Sequence, residues 1–239
     1  VNPSFRRIIV LLGIATALVG CGEEKRPPVF SELRESSAPL LVDAAPTGSA
    51  PTPAALPGTK YEPQAGDVLF QSLPHAPLVD VIEAVTQSPY SHCGIVGRGL
   101  GDKFIVLEAI GPTVETPLEE WLARGRNGGF VAYRLDAKYA EKVPAVMASA
   151  RKHLGKPYDV HYDFDDQKIY CSELIFKAFR DATGESLGTV RKLGDLNWKP
   201  NEAFIRYIEN GGLPLEREMI TPQELSQAKQ LREVFRQGM

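Results

Sequence analysis

Apolar residues follow three different textures along the chain. Ile8 to Val19 is an apolar run broken only by small residues and preceded by Arg6 and Arg7. From Glu23 to about Tyr61 the sequence is rich in Pro, Ala, Ser and Thr, as in APTGSAPTPAALPGTK, with no sustained apolar period of either the strand or the helix kind. Beyond Gly66, short runs of β-branched and aromatic residues alternate with helical periods. These textures predict a targeting segment over 1–20, a tether over 21–60 that buries too little surface to offset its ordering entropy, and one folded domain over 61–239.

Within the domain, DVLFQ (67–71) reads as a strand, and Leu78 to Gln87 as a helix with Leu78, Val81, Ile82 and Val85 on one face. HCGIVGR, FIVLEAI and GFVAYRL read as three further strands of one antiparallel meander, separated by glycine-containing turns. Thr116-Pro117-Leu118-Glu119 predicts a threonine-capped helix running to Arg124 before Gly125. A longer helix presents Val143, Val146, Met147, Ala150 and Leu154 and stops at Gly155-Lys156-Pro157. Another starts at Cys171 with an amphipathic stripe through Leu174, Ile175, Ala178 and Phe179, and Thr221-Pro222-Gln223-Glu224 opens a terminal helix. The expected class is α+β, a small antiparallel sheet or half-barrel packed against helices.

Composition narrows the function classes. The 239 residues carry a formal net charge of −3 with acids and bases interspersed, so nothing marks a nucleic-acid partner. Three cysteines, Cys21, Cys93 and Cys171, form no CxxC pair, and His75, His153 and His161 show no metal-ligand spacing, so no metal or organic cofactor is expected. The leading apolar run is short for a membrane span, although a simple N-terminal membrane helix is the competing reading. It ends in Leu18-Val19-Gly20-Cys21, which resembles the bacterial lipobox. That resemblance implies cleavage before Cys21, lipid attachment to its sulfur and anchoring in the cell envelope. Gly22 after the cysteine, instead of Asp, implies the outer membrane facing the periplasm in a Gram-negative cell.

Candidate chemistry centres on Cys171. At a helix N-terminus the unpaired N–H groups favour a thiolate and can donate to an oxyanion, although a cysteine on an apolar stripe is by itself more often inert core. His92 opens HCGIVGR, where strand alternation puts His92, Gly94 and Val96 on one face and Cys93 and Ile95 on the other, with Gly94 leaving room beside the imidazole. Glu108, between Leu107 and Ala109 in the next strand, needs a partner if buried, and an imidazole supplies one while its tautomer is fixed. Taken singly, His92 reads as a structural histidine and Glu108 as an outward-facing strand residue. Tyr170 and Ser172 flank the cysteine as substrate-binding or oxyanion candidates, with core packing as the alternative, and Asp67 either lines the site or ends a turn. Glu173 reads as structural, and Asp159, Asp163, Asp165 and Asp166 as a solvated acidic loop.

The strings GDVLFQ, SHCGIVG, VLEAIG, PLEEWL and GKPYD followed by YCSELI resemble, in this order, the permuted papain-like amidases of the YiiX/YaeF group, relatives of NlpC-type cell-wall peptidases. The resemblance implies a circularly permuted papain-like fold with Cys171 as nucleophile, His92 as base and Glu108 as third residue. It further implies hydrolysis of an amide bond through a thioester, on a peptidoglycan peptide or an amide-linked lipid of the envelope. Three rivals stand beside it: a lecithin:retinol acyltransferase-like acyltransferase or thioesterase, a non-catalytic envelope-binding lipoprotein, and a structural Cys93–Cys171 disulfide. Strand alternation speaks against the disulfide, because it turns Cys93 away from His92.

Overall fold

The β-branched runs pair into an antiparallel sheet in the computed structural model of the chain, which describes residues 60–239. The predicted signal segment, Cys21 and, Lys60 apart, the predicted tether lie outside the described residues. In chain order the elements are β1 (Val68–Gln71), α1 (Pro77–Thr86), β2 (His92–Arg98), β3 (Phe104–Ala109), β4 (Thr113–Pro117), α2 (Leu118–Arg124) and β5 (Phe130–Leu135). There follow α3 (Val143–Arg151), α4 (Cys171–Thr183), β6 (Arg191–Lys192), α5 (Glu202–Ile208), β7 (Glu218–Met219), α6 (Pro222–Ser226) and β8 (Leu231–Gln237).

The large sheet has the order β4-β3-β2-β1-β5-β8, and β6 and β7 form a separate two-stranded ribbon. The expected meander is corrected at two places. After β3 the chain turns back within three residues, Ile110-Gly111-Pro112, so that Thr113–Pro117 occupies the outer edge of β3 as β4. With that edge taken, β5 returns on the far side of the sheet and pairs with β1, Val68 opposite Tyr133. The N-terminus of α2 also differs from expectation. Thr116 belongs to β4 and lies opposite Val106, Pro117 occupies the capping position, and the threonine hydroxyl is used elsewhere. At the other end of the domain Thr221 caps α6 as predicted, accepting from the Glu224 N–H at 3.1 Å. That helix lasts only five residues, and the chain then runs as β8 along β5.

Alternation along the strands divides the core in two. Val68, Phe70, Cys93, Ile95 and Leu107 face one way, against Val146, Met147 and Ala150 of α3 and Leu174, Ile175 and Ala178 of α4. Leu69, Val96, Val106, Phe130 and Ala132 face the other way, closed over by Leu118 and Trp121 of α2. Each fully buried large apolar side chain contributes about 1.5–3 kcal/mol, so the larger face is what fixes α4, and with it Cys171, against the sheet. On the smaller face Gly94 is a close-packed point: a Cβ there would lie 2.3 Å from Val106 Cγ1 and 3.2 Å from Trp121 Nε1. Its space is therefore taken by these two side chains. Gly94→Ala is expected to destabilise the domain by about 1–3 kcal/mol through overpacking, read as a lower urea midpoint with an unchanged m-value.

Candidate active site

Two ends of secondary structure meet at one corner of the sheet. His92 is the first residue of β2, whereas the β2–β3 ladder begins only at Ile95 opposite Leu107. The first residues of β2 thus stand clear of that ladder, and the N-terminus of α4 closes on them. Cys171, 1 % exposed, lies beside His92 and beside the thiol and backbone N–H of Cys93, near enough for these groups to act on its ionisation. The strand faces are as expected, with His92 sharing the Gly94 side and Cys93 the α4 side, yet the sulfur at the strand end reaches both. The inference that alternation removes Cys93 from the site is corrected on this ground. Both thiols are free, so the structural disulfide is not formed.

Behind His92 lies a fully paired carboxylate. His92 Nε2 sits 2.6 Å from Glu108 Oε2, which leaves Nδ1 as the nitrogen available to the sulfur. Glu108, with no exposed surface, accepts from Thr116 Oγ1 at 2.5 Å and, in bidentate fashion, from both terminal nitrogens of Arg124 at 2.8 Å. The Trp121 indole stacks against the imidazole with ring centroids 6.1 Å apart. Burial alone would favour neutral groups, but the partners win. Against that burial penalty, hydrogen bonds and charge from Cys171 and Glu108 raise His92 to about 9. Against its own burial, Glu108 is lowered to about 2 by His92 and Arg124. The Cys171 thiol falls well below its ordinary range, chiefly through the Cys93 hydrogen bond and then through His92. The influences of these partners all favour the ionised forms of Cys171, His92 and Glu108.

The remaining predicted residues are engaged elsewhere. The Tyr170 hydroxyl accepts from the Ile220 N–H at 3.1 Å and Ser172 Oγ donates to the Ile220 carbonyl at 2.8 Å, so the two tie α4 to the segment before α6. Asp67 is buried in a clamp, accepting from Arg134 at 2.7 and 2.9 Å and from the Tyr61 hydroxyl at 2.9 Å. Glu173 is buried and paired with Lys177 at 2.8 Å, and burial is the largest influence in raising it to about 7. The acidic loop is not simply solvated. Asp159 is buried and organises the turn by accepting from the His161 and Asp163 N–H groups, Asp163 pairs with Arg217 at 2.8 Å, and Asp166 pairs with Lys177 at 3.1 Å. Arg124, Thr116 and Cys93 escaped sequence reasoning as parts of the site. A buried glutamate needing more than one donor was the available signal, since an imidazole can satisfy only one of its oxygens.

An open antiparallel sheet packed on helices, with a cysteine at a helix start meeting a histidine on a strand, defines a papain-like fold whose chain order is permuted. Residues 62–235 match the family described as "Permuted papain-like amidase enzyme, YaeF/YiiX, C92 family", and the chain belongs to it. Membership places it among amidase-type hydrolases. It is 32 % identical over 186 residues to the uncharacterised protein YiiX of Escherichia coli strain K12, covering 76 % of this chain and 91 % of YiiX. A crystal structure of yiiX from Escherichia coli O157:H7, described as a metalloprotein, is similar with a TM-score of 0.70 and 32 % identity, over 74 % of this chain and 99 % of that one. Among the described residues, no group of three or more His, Cys, Asp or Glu side chains could hold a metal ion.

The protonation states make a signed prediction. A Glu108 lowered from 4.5 to about 2 adds stability that is complete above about pH 4.5 and lost as pH falls through about 2. The urea midpoint of the wild type should exceed that of Glu108→Gln at pH 5, and the difference should shrink on acidification toward pH 2. A difference independent of pH would contradict the ionised state of Glu108.

Proposed function

We propose that this chain is a cysteine-nucleophile amidase of the bacterial cell envelope, with Cys171 attacking, His92 transferring protons and Glu108 orienting the imidazole. The observation that supports it is the buried His92–Glu108 pair, 2.6 Å apart and anchored by Arg124, set beside Cys171 at the start of α4. In this reading the thiolate adds to the amide carbonyl carbon, and the oxyanion is met by N–H groups at the start of α4. The His92 imidazolium gives its proton to the leaving nitrogen, the C–N bond breaks and a thioester remains on Cys171. Neutral His92 then takes a proton from water, the hydroxide adds to the thioester, and cleavage of the C–S bond restores thiolate and imidazolium. Glu108, held by Arg124, keeps Nδ1 turned to the sulfur throughout. The metal attributed to the similar Escherichia coli O157:H7 protein has no matching donor set among the described residues here.

Substrate class is suggested by an apolar cleft between α1, α5 and the residues leading into α6. Leu78, Val81, Ile82 and Val85 line it with their predicted common face, together with Phe204 and Met219, and Ile220 forms part of its wall. Ile220 is the residue held by Tyr170 and Ser172, on either side of Cys171. Tyr162, also on the cleft wall, lies 4.9 Å from the Tyr170 ring. Cys171, His92 and Glu108 do not line the cleft, and Ile220 is its link to the start of α4; an acyl chain reaching from the cleft past Ile220 to the sulfur is the arrangement that favours an amide-linked acyl chain over a peptidoglycan stem peptide. The same observation favours a second reading, transfer of an acyl group from Cys171 to an acceptor other than water. Because Cys171 is nearly sealed, either substrate enters by displacing side chains that cover it.

Anchoring through Cys21 and placement in the envelope belong to the same proposal and rest on the signal-like first segment. Turnover of fluorogenic muropeptides, N-acyl amides and acyl thioesters, each with and without an amine acceptor, separates the readings. N-acyl amides are expected to be hydrolysed, Cys171→Ala to lose all turnover and thioester formation, and His92→Ala to fall by about 10²–10⁴ in kcat. Undiminished labelling of Cys171→Ala by a thiol-directed probe at Cys93 alone, together with retained turnover, would overturn the assignment.

A further inference from the structure

Cys93 has no part in the hydrolytic steps, yet its position is unusual. It is wholly buried on the face of β2 that packs against α4, within the same cluster as Cys171, and its thiol lies close enough to the Cys171 sulfur for each to act on the other's ionisation. A buried cysteine in an apolar cluster is ordinary core material when its neighbours are hydrocarbon. Here the neighbour is a second, free sulfur held at the end of a helix. The two elements that carry the sulfurs are fixed on each other by Leu174, Ile175 and Ile95, so the pair is held together by the core itself.

We infer that Cys93 is a resolving thiol for Cys171, making the pair a site of reversible oxidation by hydrogen peroxide. The inference rests on the proposed thiolate at Cys171 and on the access that its substrate requires. Peroxide is the oxidant. The Cys171 thiolate attacks one peroxide oxygen, an S–O bond forms, the O–O bond breaks, and the departing hydroxide takes the His92 proton as water. The Cys93 sulfur then attacks the sulfenic sulfur, the S–S bond forms, the S–O bond breaks, and the hydroxyl leaves with the Cys93 proton as a second water. One peroxide is reduced by two electrons and two thiols become one disulfide. The S–S bond, about 2.05 Å long, would join two elements that the core already packs on each other. Without a resolving thiol the sulfenic acid is open to irreversible oxidation to the sulfinic and sulfonic forms.

The test uses the full chain, treated with hydrogen peroxide and followed by peptide mass spectrometry, beside Cys93→Ser with its fold checked by circular dichroism. Wild type should yield a Cys93–Cys171 cross-linked peptide that dithiothreitol reverses, and Cys93→Ser should accumulate sulfinic acid at Cys171 several-fold faster. Equal rates of sulfinic acid formation, with Cys93 still alkylated after denaturation, would overturn the inference. Labelling of untreated protein by iodoacetamide at pH 6 distinguishes the two readings. If Cys171 is labelled and no cross-link forms, the resolving role fails and the proposed thiolate stands. If Cys171 is neither labelled nor oxidised, the thiolate fails and the resolving role with it.

Discussion

The site depends on a carboxylate placed where no water reaches it. A buried Glu108 would be neutral or ruinous without partners, and the fold surrounds it with a guanidinium, a hydroxyl and an imidazole. An ionised Glu108 favours a cationic imidazole beside it, and that cation in turn favours a thiolate at the neighbouring sulfur. Each charge is tolerated only because the next one is present. Arg124 therefore matters as much as the better-known residue types, since it is the point where the buried chain of charge ends at a partly exposed side chain.

The fold explains why the members arrive together from distant positions in sequence. Glu108 and its donor Thr116 are joined by the β3–β4 hairpin, with Glu108 opposite Val114 and Thr116 one diagonal step away. Arg124 follows in the last turn of the helix that leaves this hairpin, and the same helix supplies Trp121 against His92. One stretch of chain thus delivers the carboxylate, two of its donors and the aromatic cover, while α4 contributes the sulfur from the opposite face of the sheet.

Much of this was legible in the sequence, for identifiable reasons. The strand at Val68–Gln71, α1 within a residue at each end, and the start of α4 at Cys171 all followed from periodicity. The pairing of His92 with Glu108 was legible because a buried carboxylate needs a partner, and it was the order of the motifs around both residues, more than either residue singly, that pointed to it. The errors fall where tertiary demands override local signals. Thr116 has the form of a helix cap, but a buried carboxylate is the stronger claimant for its hydroxyl. β4 and β8 were missed because both are edge strands with mixed polarity, and the pairing of β5 with β1 depends on which sheet edge is vacant, which no local pattern records. The acidic loop misled for the opposite reason: Asp159 looks like surface, but its carboxylate replaces backbone partners that a tight buried turn lacks.

At the corner where β2 runs clear of β3, part of the environment of Cys171 comes from the Cys93 amide and not from a side chain. That donor belongs to the path of the main chain. Every amino acid but proline would supply it, so position 93 could drift widely in a lineage without its loss. Alanine scanning would leave it untouched and would miss its contribution, whereas replacing the amide by an ester linkage at this one bond would isolate it.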